Sequence, residues 1–171
     1  MELTGLAEAF PLMRGGGLFL AVIGLGILVG GVGPASWRIP ALIAGAALGV
    51  VAMAVAGITK WAFDGIGYPA WWQWAVLGVA VLVEGYLVSV VAERYEFGSR
   101  EFWLAMLFVV GVHFLLLTFS HGPICGLLAV LCIVNVVIAS RVPSMGVGTA
   151  WSIDGLLKMT AGAAMVAVTL V

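Results

Sequence analysis

Stretches of about twenty predominantly apolar residues follow one another along the whole chain with only short polar interruptions. This recurrence constrains the fold more than any motif. Each helical residue advances about 1.5 Å, so about 20 apolar residues are what a helix needs to cross the hydrocarbon of a bilayer. Composition says the same. Charged residues make up 9% of the 171-residue chain and apolar ones 64%, too little polar surface to clothe a soluble domain, in which about a quarter of residues are charged. Seven basic and eight acidic side chains, with no basic patch, also exclude a nucleic-acid binder.

The reading is an all-α, polytopic membrane protein: a bundle of six transmembrane helices at about 16–34, 39–58, 70–92, 101–120, 123–140 and 150–171. Pro34, Pro40, Pro69 and Pro123 stand at the expected boundaries, where a missing N–H costs least. Residues 1–14 form an expected interfacial segment. The longest polar connection is 93–101, so residues 1–171 are a single transmembrane domain with no extramembrane domain. Arg38, Arg94, Arg100 and Arg141 fall on one side and Arg14 and Lys60 on the other, which places the 93–101 loop in the cytoplasm by the positive-inside rule. The sixth span is the costliest, because it carries Asp154 and Lys158, each unfavourable by about 2.5–3.5 kcal/mol near a helix centre.

Small-residue steps, Gly26 with Gly30, Gly45 with Gly49 and Ala52 with Ala56, permit close backbone approach in the first two spans. They serve packing inside one subunit or, as the sharper alternative, a homo-oligomer or larger membrane complex. Trp61, Trp71, Trp72 and Trp74, with Phe63 and Tyr68, form an expected aromatic belt at one membrane face.

Few polar side chains lie inside the spans, and such residues face the protein interior. Glu84, Asn135, Asp154 and Lys158 fall at similar depth in one half of the membrane. They are expected to form a polar cluster, with a Glu84–Lys158 ion pair and Asn135 hydrogen-bonding beside it. Asp154 and Lys158, four apart, also share a helix face. His113 and His121 mark a second polar position in the opposite half. Eight residues apart on one helix, they are separated by about 12 Å and cannot ligate one haem iron from both sides. Cys125 and Cys132 are seven apart, with no C-x-x-C, and are expected to be buried packing residues. No catalytic residue, metal site or cofactor is assigned. Asp154-x-x-x-Lys158 resembles the retinal-lysine helix of microbial rhodopsins, but those proteins have seven helices and this chain has room for six.

Arg14-Gly-Gly-Gly-Leu-Phe-Leu, His113-Phe-Leu and His121-Gly-Pro resemble segments of small bacterial membrane proteins catalogued only as domains of unknown function. The resemblance implies a bacterial inner (cytoplasmic) membrane and carries over neither an activity nor a site residue. The expected function is a transporter or channel-like protein for a small solute or ion, proton-coupled through the Glu/Asp/Lys cluster. The alternative is a non-catalytic accessory or assembly subunit; an intramembrane enzyme is the weakest reading. The expected partner is the lipid bilayer, with a homo-oligomer or larger membrane complex through the small-residue faces of the first two helices as the alternative; no nucleic acid is expected.

Overall fold

The computed structural model describes residues 3–170. Met1 and Glu2 of the expected interfacial segment, and Val171 of the expected sixth span, lie outside the described residues. Eight α-helices follow in order: α1 Leu3–Ala9, α2 Met13–Val32, α3 Arg38–Ala54, α4 Ala56–Phe63, α5 Trp71–Arg94, α6 Arg100–His121, α7 Pro123–Arg141 and α8 Val147–Val168. A 3-10 turn at Ala35–Trp37 leads into α3.

Among the described residues five helices are long and apolar enough to cross a membrane: α2, α3 with its leading turn, α5, α6 and α7. α8 has the length, at 22 residues, but Asp154 and Lys158 dilute its hydropathy, and it stands outside the five. The second expected span, 39–58, is not one helix. It breaks at Val55, whose backbone is extended (φ −70°, ψ 119°), and Thr59 turns its hydroxyl back onto the Met53 and Val55 carbonyls. The first span begins earlier than expected because Arg14 is buried rather than interfacial. Its guanidinium donates to the carbonyls of Trp61 (2.8 Å) and Asp64 (3.0 Å) and to Thr169 Oγ1 (3.1 Å). One arginine thereby binds the free carbonyls at the end of α4 and ties the start of α2 to the end of α8.

The long helices pack as an arc in the order α3, α2, α8, α7, α6, α5. The most extensive seam joins α2 to α8. Glycines recur every seventh residue on both helices: Gly17, Gly24 and Gly31 on α2, and Gly148, Gly155 and Gly162 on α8. They meet in antiparallel register. A methyl added at Gly17 would stand 2.7 Å from the Gly162 carbonyl oxygen. One added at Gly24 would stand 2.7 Å from the Met159 amide nitrogen and 2.8 Å from the Gly155 carbonyl oxygen. Only hydrogen at these positions permits the backbones to touch, and such contact is what holds helices together when the surroundings are as apolar as the side chains.

The small residues singled out from the sequence work in a second seam. Gly26 and Gly45 face each other across α2 and α3, Gly49 receives the Phe19 ring, and Gly30 lies against Arg38 and the Trp151 indole nitrogen. These glycines are used inside the chain. The Ala52–Ala56 step falls at the α3–α4 break, and the Ala56 side chain lies outside the described residues. Tyr68, Trp71, Trp72 and Trp74 are exposed together at the start of α5.

Gly155→Ala should lower stability by about 1–3 kcal/mol, the usual cost of overpacking, because its new methyl meets backbone that cannot yield. Gly78→Ala on α5, where an added methyl meets nothing within 4 Å, should leave stability unchanged or raised. Unfolding of the two variants in mixed micelles measures the difference, and equal losses would remove the seam from its structural role.

Candidate functional site

A cavity of about 500 Å³ lies inside the arc. Its wall on α6 runs from Met106 to His121, about 22 Å of helix, so the space is a slot rather than a sphere. Phe19, Leu20 and Ile23 of α2, Leu42 of α3, Leu77 and Val81 of α5, and Leu107 and Val110 of α6 make the wall mostly apolar. Polar side chains interrupt it at a few points: Glu84, His113, His121, Trp151, Asp154 and Lys158. A second hollow of about 250 Å³ shares Gly16, Phe19, Leu77 and His121 with the first and extends between Met53 of α3 and Trp74 of α5. Among the described residues α3 and α5 share no extended packing seam, although both line the slot, so its unsealed side lies between them.

The ionisable groups do not pair as their depth predicts. Lys158 Nζ bonds Asp154 Oδ2, one turn away on the same helix, and both residues are buried. Glu84 instead stands 3.3 Å from His113 Nδ1. That nitrogen also lies 3.1 Å from the Ala80 carbonyl oxygen. Both neighbours are acceptors, so Nδ1 carries the ring proton and Nε2 is left as the basic nitrogen. His113, expected in a second polar position apart from Glu84, is thus in contact with it. α5 and α6 are antiparallel neighbours, each residue lies near the middle of its helix, and the side chains span the remaining offset.

Asn135 is also separated from the expected cluster. It donates 2.8 Å to the Ala150 carbonyl and so ties α7 to α8. His121 is buried at the far end of the slot. Ser120 Oγ donates to the Leu117 carbonyl (3.3 Å) and accepts from His121 Nδ1 (2.8 Å). Gly16 leaves room for the His121 ring, because a methyl there would collide with it. Cys125 and Cys132 are buried free thiols, and Cys125 lies 3.9 Å from the Met165 sulfur. Among the described residues no three His, Cys, Asp or Glu side chains converge as metal ligands.

Trp151 was not singled out by the sequence reading, although it lies three residues before Asp154 and therefore on the same face. Its ring packs edge-on against Trp103 with centroids 5.2 Å apart. Its indole N–H is buried without an acceptor, and Asp154 Oδ1 is buried without a donor. Lys158 lies over the Phe114 ring at 5.4 Å, which supports an ammonium that is otherwise among apolar groups.

Lys158→Met should destabilise the protein by about 3–5 kcal/mol, because it strands the Asp154 carboxylate in the interior. Adding Asp154→Asn should recover most of that loss, whereas adding Glu84→Gln should recover none. Glu84→Gln alone should cost about 1 kcal/mol or less, since Glu84 is partly exposed and glutamine still offers His113 an acceptor. Unfolding in mixed micelles across this set distinguishes the two partners, and rescue by Glu84→Gln would restore the depth-matched pairing.

No curated protein and no solved structure matches the chain. A family profile does match, over residues 4–170, which takes in every helix that lines the slot. The chain therefore belongs to DUF6609, a family of unknown function.

Proposed function

We propose that the chain is a six-span protein of the bacterial inner membrane, with α8 as the sixth crossing, and that it carries a small, largely apolar solute bound in the slot. The observation that carries this reading is the combination in one space of a long apolar wall, a few fixed polar groups and an unsealed side. That is the make-up of a small-molecule site. A channel for ions would need a wetter wall. The apolar faces of α3 and α5, with Ile43, Leu48, Val79 and Leu82 exposed, suit contact with lipid, so the opening between these helices faces the phase in which an apolar solute dissolves.

The ion pairs divide the work. Asp154 already has a fixed cation in Lys158. Glu84 faces only an imidazole, which exists in both charge states. Glu84 and His113 are thus the pair at which a proton is exchanged with the solute's movement, while Asp154 and Lys158 are engaged with each other. The accessory-subunit reading draws on the exposed apolar faces alone, and lipid covers those equally well.

Mass spectrometry of the organic extract of the purified protein tests this reading. The parent protein is expected to release a bound single-chain amphiphile. Val110→Phe, which puts a ring into the slot, should weaken its retention by about 5- to 150-fold, the equivalent of the 1–3 kcal/mol of overpacking. Proteoliposomes containing a pH-sensitive dye should respond when that compound is added outside, and Glu84→Gln should silence the response while retaining the bound compound. Equal recovery from parent and Val110→Phe would overturn the site; a response unchanged by Glu84→Gln would overturn the coupling.

A further inference from the structure

Resting on the reading of the slot as a solute site, we propose that the solute carries a neutral hydrogen-bond donor, an O–H or N–H, that binds His113 Nε2, so that solute and proton compete for one lone pair. The ring is fixed from its other side. Nδ1 stands 3.1 Å from the Ala80 carbonyl oxygen and 3.3 Å from Glu84 Oε2, two acceptors that hold the ring proton on Nδ1. Nε2 is then an acceptor without a hydrogen. Among the described residues nothing bonds it, yet it is not sealed in as Trp151 Nε1 and Asp154 Oδ1 are. His113 is 8% exposed and lines the slot, so the open side of its ring is the slot.

An acceptor at this point selects what the slot holds. A neutral O–H or N–H completes it. An ether or ketone offers acceptors alone and leaves the nitrogen unmatched. A carboxylate does the same and adds a negative charge near Glu84. An ammonium donates but keeps an unpaired charge, because Nε2 lies across the ring from Glu84 and Asp154 is already engaged by Lys158. Leu77 and Val81 of α5 and Val110 and Leu117 of α6 receive the apolar remainder of the solute. The same lone pair takes the second proton of the imidazole. Once that N–H forms, both ring nitrogens are donors and the head of the solute has nothing to bond. One proton therefore displaces one solute head, and exchange at the Glu84–His113 pair becomes competition at a single atom. Glu84 acts from the Nδ1 side, so Glu84→Gln leaves the acceptor for the head in place. The other titratable groups around the slot are His121 on α6, the Cys125 thiol on α7, and Asp154 and Lys158 on α8, while α2 and α3 supply only apolar side chains and Gly16.

Nitrogen NMR of the full chain, labelled at its two histidines and held in phosphatidylcholine nanodiscs, tests the proposal. The probe is a para-alkylphenol, which like tyrosine stays neutral below about pH 9. At mildly alkaline pH the His113 Nε2 resonance, assigned by its loss in His113→Phe, is expected to be that of an unprotonated nitrogen. It should move when the phenol is added and stay in place with the matching alkylanisole, which lacks the O–H. A phenol carrying a diazirine in its chain gives affinities by competition for photolabelling. The anisole should compete about 2- to 10-fold less well than the phenol, the worth of one neutral hydrogen bond, the matching benzylammonium should also compete less well, and His113→Phe should remove the difference between phenol and anisole. As pH falls and Nε2 takes up its proton, phenol binding should weaken by up to about tenfold per pH unit, while anisole binding stays constant; this comparison needs no variant. Val110→Phe, which narrows the slot, should weaken phenol and anisole alike. Labelling that Val110→Phe leaves unchanged overturns the solute site itself. Labelling that it weakens, but in which anisole or benzylammonium matches the phenol or the Nε2 resonance does not respond, leaves the site standing and overturns the donor head.

Discussion

The contact of α2 with α8 through their glycines decides how the rest of the chain is arranged. In an apolar surrounding no solvent drives helices together, and association depends on how closely backbones approach. Two glycine rows of seven-residue period, one on each helix, bring carbonyls and amides of α2 and α8 into direct contact along almost their whole length. A seven-residue step departs only slightly from two helical turns, so each row stays on one face. Gly155 lies one residue after Asp154 and three before Lys158. When Gly155 presses on Gly24, both charged side chains turn away from the outside of the arc and toward its interior. The seam thus makes α8, the helix least suited by composition to an apolar surrounding, a central element.

The slot follows from the same asymmetry. α2 and α8 are locked by glycine, and α6, the helix richest in buried side chains, packs against α7 and reaches α8. α3 and α5 are each held along one side, α3 by α2 and α5 by α6. Leu77 and Val81 of α5 and Leu42 of α3 reach inward, yet the two helices do not close on each other. The Glu84–His113 contact, together with the bond from Gln73 Nε2 to the Ala9 carbonyl (3.0 Å), positions α5. The Glu84–His113 contact is therefore one of the few polar attachments of the helix beside the opening.

Much of this was legible in the residues. Apolar length and proline placement located the helices α2, α3, α5, α6, α7 and α8 to within a few residues, because those signals are local. The break at Val55 was not legible: no proline marks it, Gly57 two residues on is one of many glycines in the spans, and the hydroxyl that turns back onto it comes from Thr59, four residues downstream. Arg14 read as an interfacial cation because a sequence does not show that the ends of α4 and α8 present carbonyls to it. The glycine rows were visible in principle. A four-residue step was the pattern sought in the first two spans, and the seven-residue step shared by Gly17, Gly24, Gly31 and Gly148, Gly155, Gly162 relates segments more than a hundred residues apart. Depth suggested that Glu84 and Lys158 would meet, but depth alone does not assign partners: Lys158 pairs with Asp154 and Glu84 with His113.

The partner assignment has a physical order. Asp154 and Lys158 are neighbours as soon as α8 is helical, so their pairing needs no second helix and orders only two side chains. A Glu84–Lys158 bond would require α5 and α8 to be docked first, although α5 packs along α6. The local pair therefore needs no interhelical docking, whereas its competitor does. Glu84 is then left to the nearest polar group of its own hairpin neighbour, which is His113. Local pairing also occupies only one oxygen of Asp154, since a lysine one turn away approaches from along the helix. The other oxygen is buried without a hydrogen-bond donor.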